Sequence, residues 1–182
     1  MYRLLILTVA VATCYAAIRY GDQVLIEGIH IKEKISHEDG RGDYVKFKDR
    51  RNDNELWIIK KYVSPYDDGS QFDKQNVKDG DTVAFKAVKH QGWLYCQCDW
   101  CRLCDSSNSQ EQKPVNHDWG KACAYGDSFT LEKVGGEKKD GVDGHIENRD
   151  VVKMKHKCFN FKENDNYRYL QQAWWFAYAW YP

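Results

Sequence analysis

The chain has 182 residues, with 27 lysines and arginines balanced by 27 aspartates and glutamates, and its mean hydropathy is −0.75. That balance excludes the broad basic footprint that nucleic acid or an anionic membrane surface requires, so no nucleic-acid partner is expected. The length suits one domain with a real core.

Residues 1–16, MYRLLILTVAVATCYA, open the chain with Arg3, an uncharged apolar run from Leu4 to Ala12, and the small-x-small sequence Cys14-Tyr15-Ala16. The run is too short to span a bilayer, and the pattern is that of a cleaved secretory signal, leaving a mature domain of residues 17–182. A buried N-terminal strand or a retained anchor is the alternative. No second long apolar stretch follows, so no membrane insertion is expected of the mature chain, whose expected location is extracellular.

Beyond the leader the chain reads as short strands. Gln23–Ile26, Tyr44–Phe47, Leu56–Ile59, Thr82–Phe85, Trp93–Tyr95, Phe129–Leu131 and Val151–Met154 are rich in β-branched and aromatic residues, and several alternate with polar ones. Turn formers separate them: Asp39-Gly40, Asp68-Gly69, Asp79-Gly80, Gly135-Gly136 and Asp140-Gly141. No amphipathic helix of three turns is visible, which predicts an all-β class. The polar stretch Asp105–Lys121 reads as a long surface loop tied down by flanking cysteines, and Gly135–Gly144 as a second loop.

Loss of the leader removes Cys14 and reduces seven cysteines to six: Cys96, Cys98, Cys101, Cys104, Cys123 and Cys158. The C-x-C-x-x-C-x-x-C run from Cys96 to Cys104 would suggest zinc or an iron–sulfur cluster in a reducing compartment. Outside the cell the same thiols are consumed as disulfides, so disulfides are the expectation and no metal or other cofactor is assigned. The pairing stays open, with some of the cluster expected to reach Cys123 and Cys158, and each bridge is worth about 2–4 kcal/mol.

A threefold self-similarity runs through the mature chain. Gly21-Asp22-Gln23-Val24-Leu25-Ile26, Gly80-Asp81-Thr82-Val83-Ala84-Phe85 and Asn148-Arg149-Asp150-Val151-Val152-Lys153 each open a unit with Asp before an apolar strand. The units close on Glu55-Leu56-Trp57-Ile58-Ile59, Asp127-Ser128-Phe129-Thr130-Leu131 and Gln172-Ala173-Trp174-Trp175-Phe176. Three such units can close a six-stranded barrel with few exposed edges. The pattern resembles a β-trefoil with long disulfide-tethered loops, and Gln172-Ala173-Trp174 is similar to the Q-x-W of ricin-type lectin repeats. That resemblance implies a glycan ligand, with Trp174 packing in the core and Gln172 fixing the sugar-binding loop. Glu55-Leu56-Trp57 and Asp127-Ser128-Phe129 depart from the motif. An irregular β-sandwich is the alternative fold.

Other features bear on recognition. Arg41-Gly42-Asp43 resembles an integrin cell-attachment tripeptide, in which a turn holds a guanidinium and a carboxylate apart so that the carboxylate reaches a receptor metal. A glycine-rich charged turn explains the same residues without a receptor. The rings of Trp174, Trp175, Phe176, Tyr178, Trp180 and Tyr181 crowd the C-terminus, and core filling is their first explanation, stacking on sugars the second. The acidic groups, among them Asp67, Asp68, Asp73, Asp79 and Asp81, lack calcium-loop spacing and read as solvated turns. Six scattered histidines form no H-E-x-x-H or other catalytic signature, so no enzymatic activity is expected. The expected role is extracellular recognition of glycan or of a matrix component. Structural service in an extracellular matrix, a mineralised one included, with cell contact through Arg41-Gly42-Asp43, is the second reading. A venom or defence protein is the third.

Overall fold

The computed structural model describes residues 5–9, 17–28, 33–37, 45–48, 55–64, 67–89, 92–97, 100–104, 128–135, 144–157, 167–173 and 176–180. They form twelve strands: β1 (Leu5–Val9), β2 (Gln23–Gly28), β3 (Lys34–His37), β4 (Val45–Lys48), β5 (Trp57–Lys61), β6 (Thr82–Ala87), β7 (Trp93–Gln97), β8 (Trp100–Cys104), β9 (Phe129–Lys133), β10 (Val151–Lys157), β11 (Tyr167–Ala173) and β12 (Phe176–Trp180). No α-helix occurs among the described residues, and a 3-10 turn spans Ser70–Phe72. The class is all-β, as the turn spacing and β-branched runs predicted.

Pairing runs in a closed circuit. β1 pairs with β2, β2 with β5, β5 with β6, β6 with β9, β9 with β10, and β10 with β1, all antiparallel. The pairs β3–β4, β7–β8 and β11–β12 are hairpins appended to this circuit. Six strands closed on themselves with three hairpins make a β-trefoil-like arrangement rather than the two facing sheets of a sandwich.

Alternation builds the interior. Along β2, Val24 and Ile26 are fully buried while Leu25 and Glu27 lie half-exposed between them. Trp57 and Ile59 of β5 and Phe129 and Leu131 of β9 repeat the pattern. A period of two places every second side chain on one face, so β2, β5 and β9 each send two apolar side chains into a common core. The largest are Trp57, Phe85 and Phe129, with the rings of Phe85 and Phe129 5.8 Å apart. Burying such side chains is worth about 1.5–3 kcal/mol each. The Trp57 indole N–H, taken out of water with its ring, donates to the Ile35 carbonyl at 2.9 Å.

The threefold pattern read from the sequence has a structural counterpart at one end of the core. Ile18 donates its amide to the Ile146 carbonyl, Ile146 to Val77, and Val77 back to Ile18, each at 2.8 Å. All three side chains are fully buried. One residue from each unit therefore joins a cyclic backbone contact. The registers agree as well: Trp57 lies opposite Val24 and Ala87, and Phe129 lies opposite Val83 and His156.

The seven strands read from the sequence fall on strands of the structure, apart from Leu56 at one end and Tyr44, which lies outside the described residues. β3 carries little strand signal because Lys34-Ile35-Ser36-His37 has one apolar residue, and β8 because Trp100-Cys101-Arg102-Leu103-Cys104 has no β-branched residue. The stretches 105–121 and 136–143, expected as loops, lie outside the described residues. Within the segment read as a leader, Leu5–Val9 forms β1 and fills the closing position of the third unit, where Gln172–Phe176 was expected. Its Ile6, Thr8 and Val9 are β-branched, which suits a strand. Residues 1–4 and 10–16 lie outside the described residues.

Candidate functional site

Three turns of like construction precede β2, β6 and β10. In each, an aspartate carboxylate accepts the amide three residues before it: Asp22 from Arg19 at 2.8 Å, Asp81 from Lys78 at 2.7 Å, and Asp150 from Glu147 at 2.7 Å. The aspartate amide donates back to the same residue's carbonyl at 3.1 Å in all three. The residue before each aspartate has positive φ, 90° at Gly21, 84° at Gly80 and 73° at Arg149. Glycine meets that demand at no steric cost; arginine does so against a penalty of about 1–2 kcal/mol.

The second turn is also a junction between units. The Asp81 carboxylate accepts the Tyr20 hydroxyl at 2.6 Å and the Lys61 ammonium at 2.5 Å, in addition to the Lys78 amide. Lys61 lies 5.6 Å from the centre of the Tyr20 ring. Burial alone would push the Asp81 pKa up, but the bonds from Lys61, Tyr20 and the Lys78 amide outweigh it and hold the carboxyl below its ordinary value. Tyr20 moves the other way: burial, then its bond to Asp81 and that carboxylate's charge, raise its pKa far above the usual phenol value. The phenol is fixed as a neutral donor and the carboxylate carries three donors. This arrangement ties units one and two together and leaves no acid–base pair poised for proton transfer.

Neighbouring charges are engaged similarly. Lys60 pairs with Asp73 at 2.7 Å, and Lys133 with Asp150 at 2.7 Å. Asp67 and Asp68 accept the Gly69 and Ser70 amides at 2.8 and 2.9 Å, and the Ser70 bond holds the Asp68 pKa below its usual value. Asp79 accepts the Lys133 amide at 2.7 Å. Asp67, Asp68 and Asp79 thus serve backbone amides, and among the described residues no group of three His, Cys, Asp or Glu side chains could hold a metal ion.

The residues singled out from the sequence fall in different places. Arg41, Gly42 and Asp43 lie outside the described residues. They belong to the connection 38–44, and the strands that it joins are paired, His37 opposite Val45. Gln172 stands in β11 opposite Ala177, while Trp174 lies outside the described residues. Cys96 and Cys101 face each other across the β7–β8 hairpin and form a disulfide, both sulfur-bearing side chains buried. This bond lies within the cluster; the sequence leaves the pairing open because no local signal marks the hairpin that sets the two positions opposite each other. Cys104 ends β8 opposite Trp93, and Cys98, Cys123 and Cys158 lie outside the described residues. The Tyr20–Asp81–Lys61 junction was not legible in the sequence, since its members are separated by 20 to 61 positions. Only Asp81 carried a signal, through the repeat.

No family model matches this sequence, and no curated protein matches it. Among solved structures, the chain is similar to the SDF2-like protein from Arabidopsis thaliana, with a TM-score of 0.57 at 14% sequence identity, over 90% of this chain and 88% of that one. That likeness is one of fold, and it agrees with the β-trefoil-like circuit of strands.

Proposed function

We propose that this chain is an exported, non-enzymatic recognition protein whose ligand is a glycan, held in the manner of a ricin-type lectin repeat. The observation that carries the reading is the threefold β-trefoil-like circuit with a filled interior. Side chains occupy the core, so recognition falls to the connections between strands, as on other rigid β scaffolds. Gln172-Ala173-Trp174 supplies the lectin-like sequence in the third unit, with Gln172 as the polar contact and Trp174 as its support. The leader-like segment 1–16, the disulfide between Cys96 and Cys101, and the balanced charge support an extracellular setting without nucleic-acid or membrane partners. A glycan array probed with the secreted chain tests it. Binding to a defined glycan class, reduced at least tenfold by Gln172→Ala with unfolding unchanged, is the expected result; no binding to any glycan refutes it.

A second reading is adhesion within an extracellular matrix through integrin. It is favoured by the sequence position of Arg41-Gly42-Asp43 between the paired strands β3 and β4, since connections commonly carry recognition residues. Cell attachment to the immobilised protein, abolished by Asp43→Glu, distinguishes it from the glycan reading.

A further inference from the structure

The closing position of the third unit is claimed by two segments. In the structure β1 holds it: Leu5 lies opposite Gly28 and Val152, Leu7 opposite Ile26, and Val9 opposite Val24. In unit one the same positions belong to Trp57, Ile59 and Lys61, which face Ala87, Phe85 and Val83; in unit two they belong to Phe129, Leu131 and Lys133, which face His156, Met154 and Val152. Leu5 therefore stands where the other units place Trp57 and Phe129. The sequence puts a different residue there. Glu55-Leu56-Trp57 and Asp127-Ser128-Phe129 align with Gln172-Ala173-Trp174, which sets Phe176 level with Ile59 and Leu131, and Tyr178 level with Lys61 and Lys133.

We infer that the gap between β2 and β10 is a strand-acceptor slot, held by Leu5–Val9 while the leader is attached and taken by Phe176–Trp180 once the leader is removed. The inference rests on the export reading above. Loss of Leu5–Val9 alone would strip the partner from Val24–Gly28 and from Val151–Val152, whose Val24, Ile26 and Val152 side chains are fully buried. Backbone groups beside a core demand partners, so a vacant slot is not a stable end point. β12 is at hand: it is already a strand, reached directly from β11, and its alternate residues Phe176 and Tyr178 are large enough to serve a core face. In the new register Phe176 lies opposite Ile26, Ala177 opposite Leu25 and Tyr178 opposite Val24. The β11–β12 hairpin cannot survive this change, because residues 172–178 must then run straight. Removing the leader would thus exchange one closing strand of the circuit for another, give up the β11–β12 hairpin, and give the region around Gln172 its final form.

Two cysteine pairs distinguish the states. Ala177→Cys is combined with Gln172→Cys, its present partner, or with Leu25→Cys, its proposed one. In an extended strand residues 172 and 177 stand roughly 16 Å apart, far beyond the reach of a disulfide. Each pair is built into chains 1–182 and 17–182, oxidised, and mapped by peptide mass spectrometry. The 172–177 bond is expected in 1–182 and the 25–177 bond in 17–182, each at least tenfold over the other. A 17–182 chain that unfolds cooperatively yet forms 172–177 overturns the proposal. So does a 17–182 chain that folds only when a peptide of residues 1–16 is added, since β1 would then be a permanent strand. The export reading fails separately, if N-terminal sequencing of the secreted protein finds Met1.

Discussion

Alanine at the three turn aspartates should destabilise the protein unequally, in an order set by what each carboxylate holds. Asp22 serves the Arg19 amide, and losing one such bond costs about 1 kcal/mol. Asp150 serves the Glu147 amide and the partly exposed Lys133 ammonium, a surface pair worth less than about 1 kcal/mol, so its replacement should cost about 1–2 kcal/mol. Asp81 serves the Lys78 amide and Lys61, and it also accepts the Tyr20 hydroxyl. Asp81→Ala strands that buried phenol, and a hydrogen bond to a charged group contributes about 1.5–3 kcal/mol, for a total near 3 kcal/mol. Urea unfolding followed by tryptophan fluorescence measures all three. Equal losses within about 0.5 kcal/mol, or a larger loss at Asp22 than at Asp81, would refute the view that the second turn joins two units. The pH dependence has a definite sign. Because the folded Asp81 pKa lies below its unfolded value of 3.8, the stability it adds is complete above 3.8 and fades as pH falls through the folded value. Asp81→Asn should therefore flatten the acid limb of the stability profile, and Tyr20→Phe should move that limb to higher pH.

Other expectations follow from the backbone and the core. Arg149→Gly removes a side chain held at a φ of 73° and should stabilise the protein by about 0.5–1 kcal/mol, read as a shift of the urea midpoint. Gly69 and Gly80 both have positive φ, yet a Cβ on Gly69 would collide with the Lys61 carbonyl while one on Gly80 meets nothing; Gly80→Ala should cost about 1–2 kcal/mol and Gly69→Ala clearly more in the same assay. Trp57→Ala should cost about 3–5 kcal/mol in thermal or urea unfolding, and Trp57→Phe a smaller amount that includes the bond to the Ile35 carbonyl. Replacing Cys96 and Cys101 together by serine should cost about 2 kcal/mol, because the loop they close is short.

Several parts of this molecule were written locally. Alternation along Gln23–Ile26 or Phe129–Leu131 reveals a strand, because a period of two is a property of one segment. Asp-Gly pairs reveal turns, and the Asp-plus-apolar openings of the three units reveal the repeat, since each aspartate bonds an amide three residues away. The all-β class and the β-trefoil-like arrangement follow from those signals. Lys34–His37 was missed, as a hairpin strand with one core residue carries too little pattern to register.

The sequence alone determined the elements whose cause is short-range: the strands, the turns and their threefold recurrence. Tertiary structure alone decided which segments are partners, such as Cys96 with Cys101, Tyr20 and Lys61 with Asp81, and Leu5–Val9 in the third closing position. The reason is physical. Alternation tells a strand which face to bury, but an apolar strand fits any open edge of matching register, and only the assembled barrel shows which edge remains open.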